Sequence, residues 1–155
     1  FILLKMEGGA HTEKVLSNKL TKGSLVMVND KPCKVLKTSK AKPGKHGSAK
    51  IILVAIGILD DKKVEQSFAS GELLDAPIVD RTEYPLLGLE DDFMVLQDES
   101  GEEKRDVKLT DRESLKEVRE QILKFEEDEV PCLVMVMKCC GEEVPVGVRE
   151  DKDDE

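Results

Sequence analysis

"TDRESLKEVREQILKFEED", residues 110–128, is where the apolar pattern of this 155-residue chain changes period. Leu115, Val118, Ile122 and Phe125 fall three and four residues apart, a single stripe suited to packing one helix face on a core. Thr110 followed three residues later by Glu113 fits a capping box opening that helix. On either side the composition is that of strands. "YPLLGLE" (84–90), "FMVLQD" (93–98) and "EKRDVKL" (103–109) precede the helix, and "VPCLVMVMKCC" (130–140) and "VPVGVRE" (144–150) follow it. Five strands with a helix between the third and fourth predict an OB-fold. Pro145 marks the last strand as an edge, because proline has no amide to give to a ladder.

Upstream the chain reads as strands throughout. "SLVMVN" (24–29) and "PCKVLKT" (32–38) flank a short polar connection, and Asn29 and Asp30 tolerate the turn conformations a hairpin needs. "AKIILVAIGIL" (49–59) is continuous enough for a buried strand, and "DDKK" (60–63) turns into "VEQSF" (64–68). The fold class is therefore mainly β: two small β-barrel domains, an N-terminal SH3-like barrel and a C-terminal OB-fold with one α-helix. We place residues 1–17 in a flexible N-terminal tail, 18–79 in the SH3-like domain, 80–149 in the OB-fold and 150–155 in an acidic tail.

Charge divides the chain at the same point. Residues 1–79 carry 13 Lys/Arg against 8 Asp/Glu, and residues 80–155 carry 11 against 25, so a net −9 splits into +5 and −14. Residues 31–50 hold seven lysines and no carboxylate. A solvated surface mixes both signs, so this run predicts a polyanionic partner. No apolar run reaches the roughly 18 residues a membrane span needs, and "FILLKM" at the start is too short for a secretory signal. Cys33, Cys132, Cys139 and Cys140 lack the spacing of a zinc site, and we expect reduced thiols and a cytoplasmic protein without a metal.

Enzyme readings fail on spacing. "GKHGS" lacks the second glycine and the Ser/Thr of a phosphate loop, since Ser39 stands five before Gly44 and His46 follows Lys45. His46 beside Ser48 lies in an exposed connection with nothing to orient a base. The acidic half contains neither a HExxH motif nor a calcium loop. We expect no catalytic residues and no cofactor. The loop "KAKPGKHGSAK" (40–50) is the strongest candidate site. Gly44 and Gly47 bracket Lys45-His46 and permit a tight turn that carries Lys45 at its tip. Lys40, Lys42 and Lys50 lie on the arms, suited to phosphate contacts that position RNA without reading its sequence. On residue chemistry alone, a general lysine-rich RNA-binding loop and a special role for Lys45 both remain open.

"KPGKHGSAK" with the upstream "GSLVMVNDKPCKV" resembles the eukaryotic translation initiation factor 5A family, which is related to archaeal factor 5A and bacterial elongation factor P. The resemblance extends through "DAPIVDRTEYPLLGLEDDFMVLQDESGE" into the acidic half. It implies that Lys45 is the lysine converted to hypusine, with Gly44, His46 and Gly47 as the bracketing residues read by the modifying enzymes, and Lys42 and Lys50 as basic flanks. Pro43 stands where threonine is common in eukaryotic members, and Ser48 replaces a second histidine. The implied partners are the ribosome, peptidyl-tRNA, deoxyhypusine synthase and deoxyhypusine hydroxylase, with no membrane. Spermidine and NAD are substrates of the modifying enzyme and not cofactors of this chain. The implied activity is a translation factor that stabilises peptidyl-tRNA at stalled, proline-rich sites and assists termination. The alternative is a general RNA-binding module using the basic hairpin and the OB barrel.

Overall fold

The computed structural model describes residues 12–42 and 49–152. The chain divides into two compact units between Ile78 and Val79. The first holds β1 (Thr12–Leu16), β2 (Leu25–Val28), β3 (Lys31–Ala41), β4 (Lys50–Gly57), β5 (Lys63–Ala69) and β6 (Leu73–Pro77). Strands β2-β3-β4-β5 form one antiparallel sheet, and β1 pairs with β6 in a two-stranded ribbon. Asn29 and Asp30, at φ 54° and 64°, close the β2–β3 hairpin in the type I′ geometry that matches strand twist. Alternation is clean along β4: Ile51, Leu53 and Ala55 are buried, while Ile52, Val54 and Ile56 are half-buried on the other face. Leu53 and Ala55 pack with Val26, Val28, Cys33, Val35 and Leu74, and β6 beside β2 completes a small barrel of the SH3-like kind.

Residues 12–17, expected in a flexible tail, are ordered by long-range pairing. Thr12 opposes Pro77 and Leu16 opposes Leu73, while Val15 packs on the core. Ser17 is fully buried, with its Oγ donating to the Ala69 carbonyl at 2.6 Å and accepting from the Glu72 amide at 3.2 Å. A buried hydroxyl with both functions satisfied pins the start of the chain to the β5–β6 turn. Residues 1–11 lie outside the described residues.

The second unit holds β7 (Asp80–Glu90), β8 (Phe93–Gln97), β9 (Glu103–Lys108), α1 (Lys116–Glu127), β10 (Cys132–Cys139) and β11 (Glu142–Glu150). The sheet order is β11-β10-β7-β8-β9, with the helix between the third and fourth strands, as an OB-fold requires. Lys104 of β9 meets Glu143 of β11 at 3.0 Å, across the seam where the barrel closes. Pro145 sits on β11 at the end of the hydrogen-bonded order. Leu115 and Ile122 are buried under the helix, and Val118 packs at the margin of the same core.

The capping box does not form. Thr110 Oγ1 accepts from the Arg112 amide at 3.2 Å, and residues 113–115 make a 3-10 turn before the α-helix begins. Leu115 then occupies the cap position of α1 without a side-chain cap. The tighter turn shifts the helix start beyond the reach of Thr110, so the pair that matched in sequence no longer spans the first helical turn. Among the described residues, no helix is long and apolar enough to cross a membrane.

Candidate functional site

The basic segment joins two strands that pair tightly. Ala41 opposes Lys50 and Lys40 opposes Ile51, so the connection leaves and re-enters the sheet at adjacent positions. Beyond Val35 the outer edge of β3 has no strand partner among the described residues, whereas β4 is paired on both sides. Lys40 thus stands on a free edge and Lys50 on a doubly held strand. Because consecutive ladder positions point to opposite faces, the two lysines bracket the connection from both sides of the sheet. Lys40, Lys42 and Lys50 are exposed, and none forms an ion pair with a described carboxylate. Gly44, Lys45, His46 and Gly47 lie outside the described residues.

The structure adds three lysines that the sequence reading left out. Lys34 opposes Ile56, which opposes Lys63; Lys37 opposes Val54, which opposes Glu65. A bulge between Val35 and Lys37 puts Lys34 and Lys37 on the same face, which strict alternation would have separated. The outer face of the sheet is therefore a half-buried Ile52–Val54–Ile56 stripe flanked by exposed Lys34, Lys37 and Lys63. These three also lack an ion pair among the described residues. The signal in the sequence is the seven-lysine run itself; what hid the face is the bulge.

By contrast, Lys31 is committed internally. Its ammonium meets Asp60 at 2.8 Å, and Asp60 also accepts from the Lys62 amide. The hydrogen bond from Lys31 holds the Asp60 carboxyl below the ordinary range, and the same bond raises Lys31. In the second unit an open depression of about 530 Å³ is lined by Tyr84, Asp98, Glu103, Lys104, Arg105 and Asp106. Lys104 lies 5.8 Å from the Tyr84 ring centroid and 3.0 Å from both Asp106 and Glu143. Burial pulls its pKa down, but hydrogen bonds to Asp106 and Glu143 outweigh that and leave it raised. Among the described residues no three His, Cys, Asp or Glu side chains cluster as a metal site. Cys33, Cys132 and Cys139 are buried free thiols in strands, and Cys140 is a half-buried thiol in a turn.

Comparison with known proteins matches both units. A family profile described as "Translation initiation factor 5A-like, N-terminal" covers residues 10–72, and one described as "Eukaryotic elongation factor 5A hypusine, DNA-binding OB fold" covers 78–149. Eukaryotic translation initiation factor 5A-2 of Caenorhabditis elegans is 40% identical over 141 residues, 90% of this chain and 86% of the relative. The chain belongs to the translation initiation factor 5A family. Factor 5A-1 of Saccharomyces cerevisiae is 34% identical over 92% of this chain and 88% of its own length. Among solved structures, a factor 5A family protein from Naegleria fowleri superposes with a TM-score of 0.79 at 30% identity, over 90% of this chain and 99% of that one. Factor 5A from Methanococcus jannaschii superposes at 0.71 and 26% identity, over 96% and 100%. As a member of the factor 5A family the chain is a translation factor of protein biosynthesis, with the two-domain fold read from its sequence.

Proposed function

We propose that this translation factor works on the ribosome in the cytoplasm through a hypusine formed on Lys45. The observation that carries the reading is Gly44-Lys45-His46-Gly47 set between β3 and β4, whose register partners Ala41 and Lys50 hold the two arms together. Deoxyhypusine synthase transfers the aminobutyl group of spermidine to Lys45 using NAD, and deoxyhypusine hydroxylase completes the side chain; Gly44, His46 and Gly47 shape the segment those enzymes read. The product carries two amines and a hydroxyl on a longer stem, so it reaches further and makes charge-assisted hydrogen bonds. Lys40, Lys42 and Lys50 hold phosphates, and the modified tip steadies the acceptor end of peptidyl-tRNA. The factor itself breaks no bond: it is not an enzyme, and needs neither metal nor cofactor. It holds a poor nucleophile such as proline near its attack geometry while the ribosome does the chemistry. The same positioning assists termination. The acidic second unit repels bare phosphate and suits basic ribosomal protein surface.

Two measurements test this. The peptide containing Lys45, taken from the native host, is expected to be heavier by the hypusine addition; an unmodified lysine there sinks the proposal. Lys45→Arg keeps the charge but cannot accept the aminobutyl group, and is expected to abolish relief of stalling at proline runs. A general RNA-binding module would instead tolerate Lys45→Arg and lose binding with Lys40 and Lys42.

A further inference from the structure

The β10–β11 hairpin turns on Cys140 and Gly141, at φ 54° and 82°, between the register partners Cys139 and Glu142. That is type I′ geometry, for which Asn-Gly or Asp-Gly is the usual pair. The β2–β3 hairpin obeys the rule with Asn29-Asp30. Here a cysteine occupies the left-handed position that favours short polar side chains. Cys139 beside it is buried, Cys140 is half-buried, and the Cys139 thiol donates to Cys140 Sγ at 3.7 Å.

We propose that Cys139 and Cys140 form a two-thiol modification site, which a peroxide closes to a vicinal disulfide and a cellular dithiol reopens. In the first step Cys140 Sγ attacks one peroxide oxygen, the O–O bond breaks, and Cys140 becomes a sulfenic acid as water leaves. In the second, Cys139 Sγ attacks the Cys140 sulfur, the S–O bond breaks, and the hydroxyl departs with the Cys139 proton as a second water. Each sulfur gives up one electron and the peroxide takes both. A dithiol reverses the change by exchange, ending as its own disulfide.

The geometry fixes the roles. Cys140 is the half-buried sulfur that solvent reaches and that accepts the hydrogen bond from Cys139, so it is the one an incoming peroxide meets. Cys139 is held protonated, its pKa pushed up to about 12 by burial and by Cys140, so it does not meet the oxidant first. Closing the bond brings the sulfurs from 3.7 Å to about 2.05 Å. Adjacent Cα atoms sit about 3.8 Å apart, shorter than the usual disulfide range of about 4.4–6.8 Å, so the ring is strained and easily reduced. Strained disulfides are the labile, reversible ones. Cys33 and Cys132 are buried in other places, with burial raising both thiols, and serve as internal controls. The same hairpin carries Glu143, which holds Lys104 at 3.0 Å, so distortion of the turn reaches the barrel seam.

The test treats the full chain with hydrogen peroxide and reads intact mass and peptide maps. The expected product has lost two hydrogens, located to the peptide bearing Cys139 and Cys140, and dithiothreitol restores it. Cys139→Ala is expected to stop at a Cys140 sulfenic acid that dimedone traps. Cys140→Asn suits the positive φ of the turn, keeps the fold, and is expected to leave Cys139 reduced. Phenylarsine oxide, which needs two neighbouring thiols, is expected to bind the parent chain one to one and to be lost in Cys140→Asn. Accumulation of a doubly oxygenated Cys140 beside an alkylatable Cys139, a disulfide-linked dimer, or prior oxidation of Cys33 or Cys132 would each overturn the proposal.

Discussion

The two units engage their cations to different extents. In the acidic unit Lys104 is tied to Asp106 and Glu143, Arg105 to Glu90 and Glu103, Arg149 to Glu83 and Lys124 to Asp128, while others such as Lys108, Lys116 and Lys138 are not so paired among the described residues. In the basic unit only Lys14 and Lys31 are so engaged among the described residues, with Asp75 and Asp60. Lys34, Lys37, Lys40, Lys42, Lys50 and Lys63 stand clear of any described carboxylate. Desolvated or mutually paired charge has little left to offer a partner, whereas an exposed lysine keeps its full attraction for phosphate. In the acidic unit Lys104 ties the barrel seam to Glu143; in the basic unit six lysines face outward.

That contrast breaks most visibly in salt dependence. Replacing Lys40, Lys42 and Lys50 together by alanine removes three phosphate contacts and should lower the slope of log affinity against log salt by about 2, at roughly 0.7 per contact on single-stranded RNA. Ribosome binding measured across a salt series reads this directly, and an unchanged slope would show that the arms do not touch phosphate. Lys104→Ala is the converse test. Its side chain and that of Glu143 are each 18% exposed, so truncation strands the Glu143 carboxylate at the barrel seam, while Asp106 stays in water. It should cost about 1–3 kcal/mol in urea unfolding and leave the salt slope of binding untouched.

The sequence carried much of this layout because its signals are local. The Asn29-Asp30 turn, the Leu115–Phe125 stripe and the uninterrupted lysine run are each legible within twenty residues. What escaped is what long-range pairing or an irregularity decides. Strand β1 shows only Val15 half-buried, its other positions exposed, and is defined by partners 57 to 65 residues away in β6. Strand β6 ends in Pro77, which reads as a linker until the ribbon is seen. Lys34 and Lys37 look like opposite faces of a strand until the bulge at Leu36 turns them to one side. The thiol pair was visible as letters, but its meaning lies in a backbone φ that cysteine does not advertise.

A smaller effect separates a tied cation from a free one inside the basic unit itself. A Cβ placed on Gly57 would meet Asp60 Oδ1 at 2.1 Å, while that oxygen accepts from the Lys62 amide and its twin holds Lys31. Gly57→Ala therefore displaces the carboxylate from both partners, and should cost about 1–2 kcal/mol, in the lower range for overpacking.

Asp60→Asn keeps the turn but removes the charge, and should cost about 1 kcal/mol or less because the pair is partly solvated. The pH profile tells the two apart from a simple packing fault. The folded Asp60 carboxyl lies below its ordinary 3.8, so the unfolded chain takes up a proton first as pH falls. The stabilisation is whole above the unfolded value and drains away as pH drops through the folded one. The parent should thus lose more stability than either variant between about pH 5 and pH 2. Equal losses in all three would mean that Lys31 is as free as Lys34, and the division between tied and outward-facing cations would then fail within one sheet.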